Sequence, residues 1–575
     1  MTHTRRDLWL FWLFACLVLV TGLGLRDPWP ADEPRFVLVA KQMLESGDWL
    51  FPHRGSELYS DKPPLFMWMQ AGLWWLTGEM RIAFLLPSLL AALGTLWCVV
   101  DLGKRLWTPR VGVYAGWAVL LTLQFTWQAK KAQIDPLVVF WITLSCYGLL
   151  RHVLHGPNWR MWALGWAAAG LGTITKGVGV IALLMLIPAG MASLRGWPDV
   201  RVHARNPKFW LGPLAFLAAC GVWLVPMLVA AAGHGGADYR AYVDDILLRQ
   251  TVTRYANSWH HGQPWWYFIE VMLTAWLPTV LVLPWAIPAW RRRLQRRDPR
   301  YLLPLAWVLL VLVFFSIPSG KRDMYILPAL PMLALALAPL LPGLLRNIKV
   351  QRVLLGFVWA LALAALAAGL TMLLSDPGFE LKFMQGRDPG VSQGLAWMFM
   401  ACGGIGLAAA LWCGRRRAPQ ALAAQLVALW VLYSLIAAPL LNDGSSSRGL
   451  MRHVGQTIGP HAQLGLVGWR EQQLLMADRP AADFGFKREP ADQFAAGLRW
   501  QHASPATRWL LVEEGDGLPA CIDKTQARDM DIANGRRWWL VAAGATRNCN
   551  RQTTHQAANA QLQSSESRTT RAQDD

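Results

Sequence analysis

Residues 8–25 read LWLFWLFACLVLVTGLGL, and residues 26–35 continue RDPWPADEPR. The first stretch holds no charged residue and is long enough to cross a hydrocarbon layer of roughly 30 Å as a helix. The second stretch changes abruptly to charged residues and prolines. This junction predicts a membrane span followed by a loop at the membrane surface.

Apolar runs of the same kind recur as far as residue 441. The chain has 575 residues, 54% of them hydrophobic and only 16% charged, a balance that excludes an ordinary soluble enzyme of this size. We predict a polytopic α-helical membrane protein of about thirteen transmembrane helices. The predicted spans are 8–25, 82–102, 111–124, 136–153, 159–173, 178–194, 209–232, 267–289, 301–317, 323–342, 352–374, 394–413 and 418–441.

The net charge of +19 and the pI near 10.0 raise the question of nucleic-acid binding. The basic residues, however, gather at the N-terminus and in every second loop, where the positive-inside rule predicts them. We therefore expect a cytoplasmic N-terminus, a first span retained as a signal anchor, and no nucleic-acid partner. The basic loops are 103–110, 151–160, 195–208, 290–300, 343–352 and 414–417.

The apolar runs define a membrane domain, 1–441, and a small soluble α/β domain is predicted at 442–551. Its strand-like runs are 464–468, 508–513 and 538–542. Residues 552–575 are rich in Ser, Thr, Gln and Asn and predict a disordered tail. Cys521 and Cys549 fall in the soluble domain, either as a disulfide or as two free thiols.

The longest segment predicted outside the cytoplasm is residues 26–81, too long for a connecting turn. Apolar residues at helical spacing predict amphipathic surface helices at 33–46 and 65–78. Asp32 and Glu33 stand at the start of the first helix. There they are either part of a site or acids that interact favourably with the helix dipole. Asp61 and Lys62 precede two prolines, which fix a charge pair near the lipid headgroups.

Further charges lie at predicted outer helix ends. Asp135 stands before Pro136, where it serves either as a helix N-cap or as part of a site. Lys176 and the run Lys321 to Tyr325 are basic on the side where few basic residues are expected, which favours an anion site such as a phosphate. His260 and His261 are adjacent, and as a bare pair they are weak evidence for a metal site, since neighbours in sequence seldom ligate one ion together.

Together these motifs resemble the membrane-embedded polyprenyl-phosphate-dependent glycosyltransferases of the GT-C fold. The nearest branch puts 4-amino-4-deoxy-L-arabinose on lipid A and is related to protein O-mannosyltransferases. The resemblance rests on these motifs in this order: Asp32-Glu33-Pro34-Arg35, Leu44-Glu45-Ser46-Gly47-Asp48-Trp49, Asp61-Lys62-Pro63-Pro64-Leu65, Asp135-Pro136, Thr175-Lys176-Gly177, His261 with Pro264-Trp265-Trp266-Tyr267, and Lys321 through Tyr325-Ile326-Leu327-Pro328.

The resemblance implies a role for each of these residues. Asp32 is the central acid, a general base for a hydroxyl acceptor or an orienting group for a phosphate acceptor, and Asp135 shapes the sugar pocket. A divalent metal such as zinc lies near Asp61 and His261; the aminoarabinose branch usually has Glu in place of Asp61. The residues that bind the donor, either at its phosphate or through added positive charge, are Arg35, Lys62, Lys176, Arg254, Lys321 and Tyr325.

The function expected from this resemblance is transfer of a sugar from undecaprenyl phosphate to a periplasmic envelope acceptor, with aminoarabinose and lipid A as the leading pair. A protein O-mannosyltransferase-like enzyme, or a transferase for another envelope glycan, stays open. A transporter or flippase for lipid-linked substrates is the alternative of another class, but hydropathy shows no inverted repeat and the charges gather at one face. A sensor or adhesin leaves those charges unused. We expect a monomeric inner-membrane enzyme in contact with membrane lipids, with its active site and C-terminal domain in the periplasm.

Overall fold

The computed structural model describes residues 3–247, 262–374, 389–515, 517–547 and 549. Apolar segments become helices because a helix satisfies every backbone hydrogen bond within itself, as the hydrocarbon layer requires. Eight helical segments among the described residues are long and apolar enough to cross a membrane. They are Met80–Leu106, Ile134–Leu154, Gly177–Leu194, Pro207–His234, Pro299–Ser316, Ile348–Leu374, Gly390–Cys413 and Arg415–Ser446.

A ninth candidate span is bent. Helices Tyr267–Ala275 and Leu283–Gln295 flank Pro278 and a short 3-10 helix, Thr279–Val282, and the two arms meet at 100°. A proline removes a backbone donor and breaks the helical ladder at such a point. Hydropathy predicted one continuous span at 267–289, because it cannot register the bend.

The count of thirteen spans is not confirmed, since four predicted spans fall on helices that are short, interrupted or charged. Helix His3–Val20 carries Arg5, Arg6 and Asp7 near its start, and the 323–342 region consists of short pieces around prolines. Thirteen therefore stays a prediction. The further helices of this part are Pro109–Leu120, Leu123–Ala129, Trp159–Thr173, Ala237–Asp244, Ala329–Leu337 and Leu341–Leu344.

Residues 26–81, here named the first loop, contain both predicted helices, Glu33–Ser46 and Leu65–Thr77. The first helix has a proline in its opening turn and ends at Gly47, whose φ of +74° is readily adopted only by glycine. Its apolar face packs on the second helix, with the Phe36 and Phe66 rings 5.5 Å apart. Between the helices, strands β1 (His53–Arg54) and β2 (Glu57–Leu58) form a hairpin.

The C-terminal part is a five-stranded sheet of order β4-β3-β5-β7-β6. Its strands are β3 (Gln463–Val467), β4 (Ala481–Asp483), β5 (Arg508–Glu513), β6 (Arg528–Ala533) and β7 (Arg536–Val541). β3 is parallel to β4 and β5, and β7 is antiparallel to β5 and β6. Helices Glu471–Met476 and Pro490–His502 lie between strands, and Cys521 forms a disulfide with Cys549.

Three of these strands, β3, β5 and β7, correspond to the predicted strand runs. Helices Ala438–Ser446 and Arg448–Ile458 join the membrane part to the sheet, so the predicted boundary at 441/442 falls inside a helix. The division into three domains stays a prediction, and the tail 552–575 lies outside the described residues.

Asp27 joins the first loop to the C-terminal part. Its fully buried carboxylate accepts hydrogen bonds from Arg81, Arg448 and the Asn442 amide, at 2.6–3.2 Å. Burial alone would raise the Asp27 pKa, but the hydrogen bonds from Arg448, Arg81 and Asn442 outweigh it and lower the pKa to about 2. The junction therefore stays charged at physiological pH and fixes the beginning of the first loop against the C-terminal helices.

Candidate active site

The adjacent acids Asp32 and Glu33 have different surroundings. Glu33 is buried and accepts two hydrogen bonds from the Arg26 guanidinium, at 2.5 and 2.7 Å, and two more from the backbone N–H groups of Trp29 and Ala132. Arg26 also donates to the Lys130 carbonyl. This buried pair joins the first loop to the segment before Asp135. Because the Glu33 carboxylate is occupied by these contacts, its role is structural.

Asp32 is the residue before the helix, but its side chain makes no capping hydrogen bond. One oxygen accepts from the Gln133 amide at 3.2 Å, and the other lies 3.6 Å from the Arg35 guanidinium. With 20% of the side chain exposed, Asp32 is held by two neighbours and still accessible. A favourable interaction with the helix dipole therefore does not distinguish Asp32 from Glu33. Of the two acids, only Asp32 has an accessible carboxylate.

Five side chains of alternating charge connect Asp32 to Asp61, and we name them the charge chain. Glu471, from the C-terminal part, lies 3.0 Å from Arg35 and 3.7 Å from Arg54. Arg54 in turn lies 3.5 Å from Asp61. The two predicted acids are thus the ends of one electrostatic network, with Glu471 at its centre. Arg54 and Glu471 are both buried.

The β1–β2 hairpin positions Arg54 against the C-terminal part. The Arg54 guanidinium lies 3.8 Å from the centre of the Phe486 ring, a cation–π contact. Gly55 turns the hairpin at a φ of +65°, and a Cβ there would meet the Trp469 ring at 2.9 Å. Ser56 donates to Asp483 at 2.7 Å. The close packing of the hairpin turn against Trp469 therefore requires glycine at position 55.

Two buried polar atoms belong to Arg54 of the charge chain and to Tyr59, whose ring lies beside Arg54. Arg54 Nε and the Tyr59 hydroxyl are buried without a hydrogen-bond partner among the described residues. Burial, followed by the nearby charge of Asp61, raises the pKa of Tyr59, so this hydroxyl stays protonated. Buried donors of this kind usually bond to a ligand or an ordered water.

A second cluster unites Asp135, Lys176 and Tyr325. The Lys176 ammonium donates to Asp135 at 2.6 Å and lies 5.0 Å from the centre of the Tyr325 ring. The N-cap of helix Ile134–Leu154 is Gln133, so the interpretation of Asp135 as the N-cap is wrong. Asp135 lies within the first turn of this helix, and its carboxylate pairs with Lys176. Gln133, two residues earlier, connects this cluster to Asp32.

The remaining predicted residues are placed as follows. Lys321 is buried and donates to the Gln263 carbonyl at 2.9 Å, beside a bridge between Gly262 and Gly320. Lys62 follows Asp61 and is half-buried. Arg254 and His261 lie outside the described residues.

Asp61 is the described member of the predicted metal pair. Its charged neighbour is the cation Arg54, and the described ranges contain no group of three His, Cys, Asp or Glu side chains arranged to hold a metal. A structural zinc site takes four ligands and a catalytic one takes three. The metal pair therefore stays a prediction, because its other member, His261, lies outside the described residues.

Sequence reasoning missed Arg54 and Glu471. Arg54 carried a usable signal, since it is a basic residue in a segment predicted to lie outside the cytoplasm. Glu471 carried none, because an acid in a soluble domain is ordinary.

The comparisons with known proteins concern the family and the fold of the chain. Residues 61–225 match the family model for dolichyl-phosphate-mannose-protein mannosyltransferase. An undecaprenyl phosphate-alpha-4-amino-4-deoxy-L-arabinose arabinosyl transferase from Pseudomonas aeruginosa strain UCBPP-PA14 is 31% identical over 456 residues, which cover 76% of this chain and 77% of the relative. The chain belongs to this arabinosyl transferase family.

Other relatives extend the agreement. The transferase of the same description from Pectobacterium carotovorum is 31% identical over 395 residues, covering 65% of this chain and 67% of that protein. The crystal structure of ArnT from Cupriavidus metallidurans bound to undecaprenyl phosphate superimposes with a TM-score of 0.74 at 19% identity, covering 93% of this chain and 97% of that one. The multi-pass GT-C fold and the glycosyltransferase class predicted from the motifs are confirmed.

Proposed function

We propose that this transferase moves an aminoarabinose-type sugar from undecaprenyl phosphate to lipid A at the periplasmic face of the inner membrane. One observation carries the proposal: Gln133, which donates to the accessible Asp32, stands two residues before Asp135, and Asp135 pairs with Lys176 near the Tyr325 ring. The relatives that match three quarters of the chain are named for this donor and sugar. The shorter match to the mannosyltransferase model supports the fold and carrier class.

Transfer from a polyprenyl phosphate requires that the leaving phosphate be stabilised while the acceptor attacks the anomeric carbon in line. In our proposal Lys62, Arg254 and Tyr325 hold that phosphate, and Lys176 and Lys321 add positive charge. Asp135 balances Lys176 in the structure, so the cluster offers the donor an ammonium fixed in place rather than a mobile one. Arg35 neighbours Asp32 and would contact the donor or acceptor from the other side.

Asp32 completes the proposed chemistry. It takes the proton of a hydroxyl acceptor, or orients a phosphate acceptor that is already ionised. The unpartnered Arg54 Nε and Tyr59 hydroxyl support a polar ligand bound beside the charge chain. We keep a divalent metal at Asp61 and His261 as a proposal outside this scheme: it would polarise a phosphate oxygen, and no step above depends on it.

The proposed orientation follows from the basic loops. With thirteen spans and a cytoplasmic N-terminus, the first loop, the Lys176 and Lys321 segments and the C-terminal part share the periplasmic side. The charge chain supports this arrangement for the first loop and the C-terminal part, since its five members must lie on one side of the membrane. We further propose that the enzyme acts as a monomer.

We propose that the acceptor binds in a cavity of about 550 Å³ between the first loop and the C-terminal helices. Arg448, Arg452 and Arg479 line it together with Met80 and Leu475. Arginines suit phosphate oxygens and the apolar side chains suit acyl chains, so the lining fits a phosphorylated lipid. Arg448 is paired with Asp27 and Arg479 with Asp478, whereas Arg452 is exposed.

Replacing Arg452 with Ala is expected to raise the KM for lipid A several-fold, because one charge-assisted contact to phosphate is lost. The KM for the carrier-linked sugar should not change. Steady-state kinetics with each substrate varied in turn would measure both constants. The exposed Arg346, which does not line this cavity, provides the control R346A. Equal KM values for lipid A in wild type and R452A would contradict the acceptor site.

The overall proposal is tested by mass spectrometry of lipid A and of the polyprenyl-phosphate-linked sugar pool. We expect a deletion strain to lose one sugar from lipid A while the carrier-linked sugar is retained, and the wild-type gene to restore the modification. Unaltered lipid A with accumulated carrier-linked sugar would indicate another acceptor. No change in either pool would overturn the proposal and favour transport.

A further inference from the structure

The C-terminal part contributes one charged side chain to the charge chain. Glu471 is the first residue of helix Glu471–Met476, and its side chain is only 5% exposed. Gln473 fixes the start of this helix, because its amide oxygen accepts from the Arg470 N–H while its amide nitrogen donates to Ser447. The carboxylate therefore enters the site from a held backbone.

Each arginine beside Glu471 is shared between two carboxylates. Arg35 lies 3.0 Å from Glu471 and 3.6 Å from Asp32, and Arg54 lies 3.7 Å from Glu471 and 3.5 Å from Asp61. Without the central negative charge, both guanidinium groups would be drawn to the remaining acids. Arg35 would then occupy the Asp32 carboxylate that the transfer needs.

Docking of the C-terminal part does not depend on Glu471 alone. Ser56 bonds to Asp483, the Lys487 N–H donates to Glu57, and Arg54 packs on the Phe486 ring. Asp27 provides a further junction through Arg448. Docking of the C-terminal part therefore does not by itself explain why a buried acid lies between two arginines.

We propose that Glu471 is a positioning residue: it shares Arg35 with Asp32 and Arg54 with Asp61, so that neither arginine pairs fully with its outer carboxylate. The C-terminal part thereby supplies a component of the active site. The inference rests on the proposed function, because the role of Glu471 is defined by what Asp32 does in the transfer.

The test uses purified full-length protein in lipid nanodiscs, with the carrier-linked aminoarabinose and lipid A as substrates. Glu471→Gln keeps the size and an acceptor oxygen but removes the charge, and we expect kcat to fall by up to about 100-fold, the cost of a misplaced group near the reacting atoms. The KM for the donor should change little. Glu471→Asp keeps the charge and should recover part of kcat. Glu513→Gln is the matched control, because Glu513 pairs with Arg536 inside the sheet.

The outcomes separate the two levels of the proposal. A wild-type protein that transfers no sugar overturns the proposed function and this role with it. A wild-type protein that transfers sugar, with a normal kcat for Glu471→Gln, overturns the positioning role alone. So does a loss that Glu471→Asp fails to recover and that parallels a lower melting temperature, since that pattern indicates a contact needed only for docking.

Discussion

Replacing Asp32 with Asn will lower the turnover of sugar transfer by about 10²- to 10⁴-fold, the range that a positioned general base contributes. The change is nearly isosteric, and the carboxylate it removes is only partly buried, so the folded structure should persist. The Gln133 and Arg35 contacts hold Asp32 in place, and neither partner occupies both oxygens of its carboxylate. Turnover is measured with purified protein, carrier-linked sugar and lipid A, with the product detected by mass spectrometry.

Asp238→Asn provides the control for this experiment. Asp238 is an exposed acid in the first turn of helix Ala237–Asp244, is not a member of the charge chain, and loses the same charge when substituted. We expect it to retain wild-type turnover and melting temperature. If Asp32→Asn also turned over at the wild-type rate, Asp32 would have no part in the chemistry and Asp135 would be the next acid to test.

Replacing Arg26 with Met will lower the free energy of unfolding by about 3–5 kcal/mol, the usual cost of leaving a buried partner charge alone. Glu33 would lose its positive partner and both guanidinium hydrogen bonds in a buried position. Its two backbone donors, from Trp29 and Ala132, cannot replace a positive charge. The melting temperature of the detergent-solubilised protein measures the effect.

A double variant makes this prediction more specific. Arg26→Met combined with Glu33→Gln removes both charges, and it should be more stable than Arg26→Met alone because no buried charge is left unpaired. Arg346→Met, at an exposed position, should leave the melting temperature unchanged. A single Arg26→Met variant as stable as wild type would show that the pair does not hold the first loop.

The adjacent acids illustrate how far the sequence could be interpreted. Asp32-Glu33 was recognised as a motif, and helix 33–46 was predicted from its apolar period. Which acid is reachable depends on Arg26, Trp29 and Ala132 around Glu33, and Ala132 is 99 positions away. Local spacing carries no information about such a partner.

The same division holds in the C-terminal part. β3, β5 and β7 were predicted because their apolar runs are buried, whereas β4 has three residues of intermediate burial and β6 is mostly exposed, so neither has a strong apolar pattern. Arg54 and Glu471 come within ion-pair distance only because the β1–β2 hairpin packs against the C-terminal part. The bend at Pro278 was likewise not predicted, because hydropathy reports the composition of a segment and not the path of its helix.

The charge chain also has a consequence for the order in which the protein is made. Arg35 and its partner Glu471 are 436 positions apart, so a ribosome adding 5–20 residues per second needs roughly 20–90 s between them. During that time the nascent chain already contains Asp32, Asp61 and nearly every membrane helix, yet its arginines have not met the carboxylate between them. A product terminated before residue 471 would therefore occupy the membrane and carry the family motifs without an assembled site.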